Sequence, residues 1–360
     1  MDRQKAYLLL ENGEMFEGYS FGAVGEVTGE TVFTTGMTGY LETLTDKSYY
    51  GQIITQTFPL IGNYGVIPAD FESAAPAAKG YIVRQWCQDP SNFRSEGSLD
   101  VFLKSHGVVG LYGIDTRRLT KLIRQSGVMN GKITNVKPDR VTDDIRVYRI
   151  KDAVAECSTK TVYSERPETA RRRVALMDYG LKENIKRELL RRSCEVTVFP
   201  HDTPARAVIE GGYDGIMLSN GPGDPRDTEN SVIIENLKTL CKSGIPIFGI
   251  CFGNQLLALA HGFSIEKLKY GHRGGNQPAK EMGSGRTYIT TQNHGYAVVS
   301  ESIDKTTARE WFVNVNDGTN EGVIYKNAPV FSVQFHPEAC AGPRDTTFLF
   351  DKFTAMMEAR

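Results

Sequence analysis

The sequence of 360 residues carries a formal net charge of −1 and is 40% apolar and 24% charged. Two domains are the default expectation for a chain of this length. The near-neutral charge balance gives no argument for binding nucleic acid or an anionic membrane surface. No apolar run is long enough to span a bilayer, and the apolar run near the start of the sequence is too short for the core of a secretory signal.

Six cysteines are scattered through the chain, and no two of them form a C-x-x-C pair. They are Cys87, Cys157, Cys194, Cys241, Cys251 and Cys340. This usage is typical of reduced thiols in a cytoplasm and not of a disulfide framework or a zinc site. We therefore expect a cytoplasmic protein with no metal centre and no cofactor of its own.

The first part of the chain predicts a β-rich α/β domain over residues 1–150. Strands are expected at 6–10, 15–19, 30–34, 52–57 and 81–86, with Gly, Asn and Asp turns between them. Helices are expected at 98–105 and 116–126, the second capped by Asp115 and ended by Gly127. Segments 36–50 and 58–65 are dense in glycine, polar and aromatic residues, and taken alone they are interpreted as polar surface loops.

The character of the chain changes after residue 150. Residues 151–173 are polar, contain Pro167 and show little apolar periodicity, so they are interpreted as a linker. From residue 174 strands and helices alternate, which predicts a doubly wound, mostly parallel sheet over 174–360. Further strands are expected at 286–291, 297–300, 322–325 and 330–333, and a last helix at 346–356.

Cys251 stands where an apolar strand, 245–250, meets a predicted helix, 254–260. Gly249 and Gly253 frame it as the thiol form of the G-x-S-x-G nucleophile elbow. The glycines fit a sharp turn in which flanking side chains would collide with the strand or the helix. The helix N-terminus stabilises a thiolate, so Cys251 is predicted to be a reactive nucleophile and not an inert core cysteine.

A cysteine nucleophile needs a base, and six histidines are available. His336 follows the strand at 330–333, and Glu338 lies two residues further on, where an extended segment places it on the same side. That spacing predicts a nucleophile, base and orienting carboxylate. His272 and His294, expected in glycine-rich loops, remain possible bases. Oxyanion donors are expected from the Phe252 N–H and from the Gly-Pro-Gly loop that includes Gly221 and Gly223.

These features together resemble the class I, triad-type, glutamine amidotransferases. The stretches GMTGYLETLTDKSY at 36–49, IGN at 61–63, GHRGGNQP at 271–278 and QNHGY at 292–296 are similar to the small subunits of carbamoyl-phosphate synthase. The resemblance covers essentially the whole chain. It implies that Cys251, His336 and Glu338 form the catalytic triad, and that glutamine becomes glutamate through a thioester on Cys251. The glutamine-binding residues that it implies are Ser48, Gly221, Gly223, Phe252, Gln255, Asn293, Gly295 and Tyr296.

The resemblance also implies a partner. Ammonia would pass through an internal tunnel to a large synthetase subunit, which would use ATP, magnesium and bicarbonate to make carbamoyl phosphate for pyrimidine or arginine synthesis. Lys47, Phe252, Asn254 and Tyr296 differ from the commonest residues at their positions, but none of them is a triad member. Two alternatives stay open: a stand-alone thiol hydrolase of the γ-glutamyl peptidase type, and a catalytically silent subunit that only binds a partner.

Overall fold

The computed structural model describes residues 4–339 and 341–359. Two compact units divide the chain, Met1–Lys151 and Asp152–Arg360. The segment expected as a linker, 151–173, belongs to the second unit from Asp152 onward. A helix, Ala153–Cys157, and a strand, Tyr163–Glu165, lie inside it. The strand is exposed along its length and is held by backbone pairing, so it leaves no apolar pattern in the sequence.

The described part of the first unit contains nine strands and four α-helices. The strands are β1 (Lys5–Leu10), β2 (Met15–Gly22), β3 (Val27–Thr34), β4 (Gln52–Gln56), β5 (Leu60–Ile61), β6 (Gly80–Val83), β7 (Gln85–Trp86), β8 (Val109–Tyr112) and β9 (Met129–Thr134). The helices are α1 (Tyr40–Thr45), α2 (Leu99–Ser105), α3 (Thr116–Ser126) and α4 (Asp143–Arg146). The strand expected at 81–86 is two strands, and β8 was not expected.

Seven strands of the first unit close into a barrel in the order β1-β2-β8-β6-β4-β3-β9, and β5 pairs with β7 in a separate two-stranded sheet. Closure pairs every strand of that sheet on both sides, which removes exposed edges. Helix α2 packs Leu99, Phe102 and Leu103 into a cluster with barrel residues such as Ile54 and Tyr81. The cluster gives this unit an apolar core of its own.

The segments at 36–50 and 58–65 fold against each other instead of forming separate surface loops. Tyr40, at the start of α1, is buried and stacks on Tyr64 with ring centroids 4.2 Å apart. The hydroxyl of Tyr64 accepts a hydrogen bond from the backbone N–H of Gly39 at 2.8 Å. These contacts fix the segment that leads to Ser48.

The described part of the second unit contains ten strands and six α-helices. The strands are β10 (Tyr163–Glu165), β11 (Arg172–Asp178), β12 (Cys194–Pro200), β13 (Gly215–Leu218), β14 (Ile247–Ile250), β15 (Ile265–Glu281), β16 (Thr287–Val298), β17 (Ala308–Asn314), β18 (Asn320–Tyr325) and β19 (Val330–Val333). The helices are α5 (Ala153–Cys157), α6 (Glu183–Arg191), α7 (Ala205–Glu210), α8 (Ser231–Cys241), α9 (Phe252–Ala260) and α10 (Phe348–Glu358).

The sheet of the second unit has the order β10-β12-β11-β13-β14-β19-β18-β17-β15-β16. Its central strands, β12-β11-β13-β14-β19, are parallel. Side chains of β11 alternate between two cores: Ala175 and Met177 join one with α7, α8 and α9, while Val174 and Leu176 join the other with α6 and α10. Helices therefore cover both faces, and the doubly wound sheet expected from the sequence is confirmed.

The antiparallel half of the sheet differs most from expectation. Strand β15 was not expected, because its glycine-rich centre suggested a loop, and β17 was not expected either. The segments 286–291 and 297–300, expected as two strands, form the single strand β16 and the turn after it. Strands β15 and β16 pair with register shifts between Lys267 and His272 and between Gly274 and Gln277, so the alternation of side chains is interrupted.

Among the described residues, the longest helices have 11 residues, and none is long and apolar enough to cross a membrane.

The cap of α3 gives a test of the first unit. The Asp115 carboxylate accepts a hydrogen bond from the Arg118 N–H at 2.9 Å, as the sequence predicts. Asp115→Ala should therefore destabilise α3 by about 1 kcal/mol. Hydrogen exchange of the α3 amides, followed by mass spectrometry, should become faster. Asp139→Ala, at another exposed aspartate of this unit, is the control. Unchanged exchange in Asp115→Ala would contradict the cap.

Candidate active site

The backbone of Cys251 lies in a strained conformation between β14 and α9. Its φ is 54° and its ψ is −100°, values that residues with a Cβ rarely adopt. Hydrogen bonds hold the turn on both sides: the Cys251 N–H donates to the Val333 carbonyl at 2.8 Å, and the Gly253 N–H donates to the Ser219 carbonyl at 3.1 Å. Strain held by surrounding structure in this way is characteristic of functional positions.

The two glycines around Cys251 are required by space. A Cβ on Gly249 would lie 2.7 Å from the Cδ1 of Leu257, and one on Gly253 would lie 2.7 Å from the Leu218 carbonyl oxygen. Both distances are shorter than real Cβ contacts, so either side chain would push the helix away from the sheet. This is the steric reason that the sequence motif suggested.

Of the cysteines, Cys87, Cys157, Cys194, Cys241 and Cys251 form no disulfide, and Cys340 lies outside the described residues.

His336 and Glu338 form a buried pair just beyond β19. The Nδ1 of His336 lies 2.7 Å from an Oε1 of Glu338, and both residues are at most 1% exposed. A carboxylate only accepts hydrogen bonds, so Nδ1 carries the proton and Nε2 of the neutral ring offers a lone pair. That Nε2 is buried and has no hydrogen-bond partner in the structure. The ring is therefore oriented so that its Nε2 can accept a proton.

Parallel pairing brings the nucleophile candidate and the base candidate to one edge of the sheet. Strand β14 pairs with β19 so that Ile250 lies opposite Val333. Cys251 follows the first strand directly, and His336 follows the second after two residues. Ligands of doubly wound sheets bind at the carboxyl ends of the strands, which is where these residues lie.

The Gly-Pro-Gly loop follows β13 at the same edge. Asn220 holds it in place: its Nδ2 donates to the Gly180 carbonyl at 2.9 Å, and its Oδ1 accepts from the Lys182 N–H at 3.0 Å. A Cβ on Gly221 would lie 2.6 Å from the Tyr179 carbonyl oxygen, so only glycine fits. Phe252 begins α9, where N–H groups have no intrahelical acceptor. These are the positions expected to supply oxyanion donors.

The other residues expected to bind glutamine occupy β16 and α9. The carbonyl oxygen of Asn293 lies 3.7 Å from the Cys251 sulfur. Gln255 donates from Nε2 to the Tyr296 carbonyl at 2.8 Å, which ties α9 to β16. The ring of Tyr296 lies beneath the Arg226 guanidinium, 5.2 Å from its centroid. Gly295 lies between Asn293 and Tyr296 on β16.

Ser48 belongs to the first unit. It lies on the 3-10 turn Lys47–Tyr49, where its N–H donates to the Asp46 carboxylate at 2.9 Å. Its part in glutamine binding therefore stays a prediction.

The structure adds residues that the sequence reasoning missed. Lys182 lies with its Nζ 4.0 Å from the carboxylate of Glu338, and Asn184 donates to the backbone carbonyl of Glu338. Gln334 donates from Nε2 to the Cys251 sulfur at 3.6 Å. Gln334 could have been found from the sequence, because it precedes His336 by the same two-residue step that separates His336 from Glu338. Lys182 and Asn184 follow β11, far from His336 in the sequence, so no spacing pattern connects them with the triad.

His272 and His294, which the sequence left open as bases, lie on strands and not in loops. They belong to a buried cluster with Glu321, and the ligating atoms of the three side chains lie within 4.8 Å of one another. The Nε2 of His272 lies 2.7 Å from Asp317, and its Nδ1 lies 3.4 Å from Glu321. Burial lowers the pKa of His272, but these two carboxylates outweigh it and raise that pKa. Carboxylates thus face both ring nitrogens of His272.

His294 forms a hydrogen bond to the backbone near the site. Burial lowers its pKa well below the ordinary range. Its Nδ1 donates to the Tyr296 carbonyl, 2.9 Å away. The cluster therefore fixes the strand segment that carries Asn293, Gly295 and Tyr296.

The doubly wound sheet with a cysteine elbow, and a histidine and a carboxylate just beyond the neighbouring strand, defines a class I glutamine amidotransferase unit. Residues 175–356 match the family model for class-I glutamine amidotransferases. Residues 8–133 match the model for the CPSase domain of the carbamoyl-phosphate synthase small chain. The first unit thus indicates which member of the class this chain resembles.

Comparison with curated proteins gives the same result over nearly the whole chain. The carbamoyl phosphate synthase small chain of Clostridium perfringens is 50% identical over 353 residues, which cover 97% of this chain and 98% of that protein. The small chain of Bacillus cereus is 49% identical over 357 residues, covering 98% and 96%. The chain belongs to the carbamoyl phosphate synthase small chain family.

The space around Gly253 predicts the effect of one methyl group. Gly253→Ala should displace the elbow from Leu218 and lower kcat/KM for glutamine hydrolysis about 100-fold, since a misplacement of about 1 Å costs that much. Gly283→Ala is the control, because a Cβ there meets nothing within 4 Å. Release of glutamate measures both variants. Equal activity of the two variants would contradict the steric role of Gly253.

The charged pair of His272 and Asp317 should make stability depend on pH. The folded pKa of His272 is raised, so its contribution is fully present below its unfolded pKa of about 6.5 and is lost as pH rises through the folded pKa. The loss of unfolding free energy in Asp317→Asn should therefore be larger at acidic than at alkaline pH. Urea unfolding at a series of pH values measures it. Asp304→Asn, an exposed aspartate bonded to Thr306, is the control. A loss independent of pH would contradict the pairing.

Proposed function

We propose that this chain hydrolyses glutamine to glutamate and delivers the ammonia to a large synthetase subunit that makes carbamoyl phosphate. The observation that carries the proposal is the strained Cys251 at the same sheet edge as the buried His336, whose Nε2 has no partner and whose Nδ1 pairs with Glu338 at 2.7 Å. Membership in the small chain family supports the synthetase partner. It also removes the reason to prefer a stand-alone hydrolase.

In the proposed first step, the Cys251 thiol gives its proton to Nε2 of His336, and the sulfur attacks the side-chain amide carbon of glutamine. The oxyanion that forms is stabilised by N–H groups of Phe252 and the Gly221 to Gly223 loop. The carbon–nitrogen bond then breaks, and His336 gives its proton to the leaving nitrogen, which departs as ammonia. A thioester remains on Cys251, and Glu338 stabilises the imidazolium between these events.

In the second step, water attacks the thioester. His336 accepts a proton from the water at Nε2, and the oxygen bonds to the acyl carbon. The carbon–sulfur bond then breaks, the proton returns from His336 to the sulfur, and glutamate leaves. The substrate is held, in this proposal, by Ser48, Gly221, Gly223, Phe252, Gln255, Asn293, Gly295 and Tyr296. We assign no metal or cofactor to this chain, and we place ATP and magnesium on the large subunit.

Transfer of ammonia through an internal tunnel has a chemical motive. Ammonia released into neutral water would take up a proton, and ammonium has no lone pair with which to attack an activated bicarbonate. A closed path keeps the neutral nucleophile. Carbamoyl phosphate made in this way in the cytoplasm would serve pyrimidine or arginine synthesis.

Replacement of the nucleophile should separate the two activities of the complex. Cys251→Ser should abolish carbamoyl phosphate synthesis from glutamine but leave synthesis from added ammonia, because only the source of ammonia is lost. Cys87→Ser, in the first unit, is the control and should keep both activities. Production of carbamoyl phosphate from each nitrogen source measures the outcome. Loss of the ammonia-driven activity in Cys251→Ser would contradict the division of roles.

A further inference from the structure

We infer that Gln334 is a further catalytic residue, whose side-chain amide donates a hydrogen bond to the Cys251 sulfur and favours its thiolate form. The inference rests on the proposed role of Cys251 as the nucleophile. Gln334 directly follows β19, and its Nε2 lies 3.6 Å from that sulfur. The residue is fully buried, and its own N–H donates to the Glu321 carbonyl at 2.9 Å.

The orientation of the Gln334 amide follows from its neighbours. The Nε2 of Gln255 donates to the Tyr296 carbonyl at 2.8 Å, and a carbonyl can only accept, so that nitrogen is identified without ambiguity. The same nitrogen lies 3.1 Å from the Oε1 of Gln334. This atom must therefore be the acceptor, which leaves the amide nitrogen of Gln334 facing the sulfur.

Asn254 gives a second, independent hold on the same oxygen. Its Nδ2 donates to the Oε1 of Gln334 at 3.1 Å, and its Oδ1 accepts from the Ser332 hydroxyl at 2.8 Å. Asn254 and Ser332 are both fully buried. The chain of contacts from Ser332 through Asn254 to Gln334 ends at Cys251. It also gives a structural role to Asn254, one of the positions that departs from the commonest sequence pattern.

The chemical effect depends on what faces the sulfur. The Asn293 carbonyl, 3.7 Å from the sulfur, accepts a hydrogen bond from a thiol but repels a thiolate. The amide of Gln334, at 3.6 Å, stabilises the thiolate. Because an amide does not titrate, this donation persists at every working pH. It also acts when the thioester breaks, since the electron pair of the carbon–sulfur bond then returns to the sulfur.

A variant of Gln334 leaves the other titratable residues near the site in the sequence. They are His336 and Glu338 beyond β19, His294 on β16, Glu321 on β18 and Lys182 before α6. A difference between variants in the titration of Cys251 therefore reports the change at Gln334.

The test is the pH dependence of Cys251 alkylation by iodoacetamide in the complex with the large subunit, read at the Cys251 peptide by mass spectrometry. Gln334→Glu keeps the shape of the side chain but places a carboxylate oxygen, in place of the amide nitrogen, against the sulfur. The alkylation rate at pH 7 should therefore fall at least tenfold, which corresponds to a rise of about one unit in the pKa of the Cys251 thiol. Gln334→Met, which only removes the donor, should give a smaller fall. Gln277→Glu adds the same charge elsewhere in the second unit and should leave the rate unchanged.

Unchanged alkylation profiles in Gln334→Glu and Gln334→Met overturn the inference. If Gln334→Glu does not fold, Gln334→Met decides by the same measurement. A profile shifted equally by Gln277→Glu also overturns it, since the effect would then be one of net charge. Failure of the proposed function is distinguishable, because glutamine hydrolysis would then survive in Cys251→Ser whatever the alkylation profiles show.

Discussion

The parallel pairing of β14 with β19 is the contact on which the site depends. It places Ile250 opposite Val333, and the Cys251 N–H then bonds to the Val333 carbonyl at 2.8 Å. One hydrogen bond thus belongs both to the sheet and to the strained elbow. A slip of this register by one residue would turn the segment after β19 over, and the side of it that carries His336 would face away from the sulfur.

The buried polar side chains of the second unit form hydrogen bonds to the backbone segments that carry the site residues. They position the reacting atoms in this way. Asn220 fixes the Gly-Pro-Gly loop, and the cluster of His272, Glu321 and His294 fixes the strand segment with Asn293. Gln255 joins that segment to α9. Buried polar side chains are costly unless they are paired, so a site that uses several of them needs the surrounding sheet to be closely packed.

The sequence predicted the parts of the fold that local patterns encode. Apolar runs predicted the central parallel strands, and the capping residues Asp115 and Gly127 predicted α3. The triad candidates came from a motif and from the two-residue spacing of an extended segment. Strand β15 was missed, because its glycines suggest a loop while its pairing with β16 is set by partners distant in sequence. The contacts of Lys182 and Asn184 with Glu338 were out of reach for the same reason, since they join residues more than 150 positions apart in the chain.

The order of these elements along the chain has a consequence for synthesis. Cys251 leaves the ribosome with its helix long before β19, so the nascent domain carries the thiol without Val333, Gln334 or His336. The elbow has no acceptor for its N–H until that last strand pairs with β14. Until β19 has been made and paired, the thiol therefore lacks the amide donor, the base and the backbone acceptor that the folded domain places at that edge of the sheet.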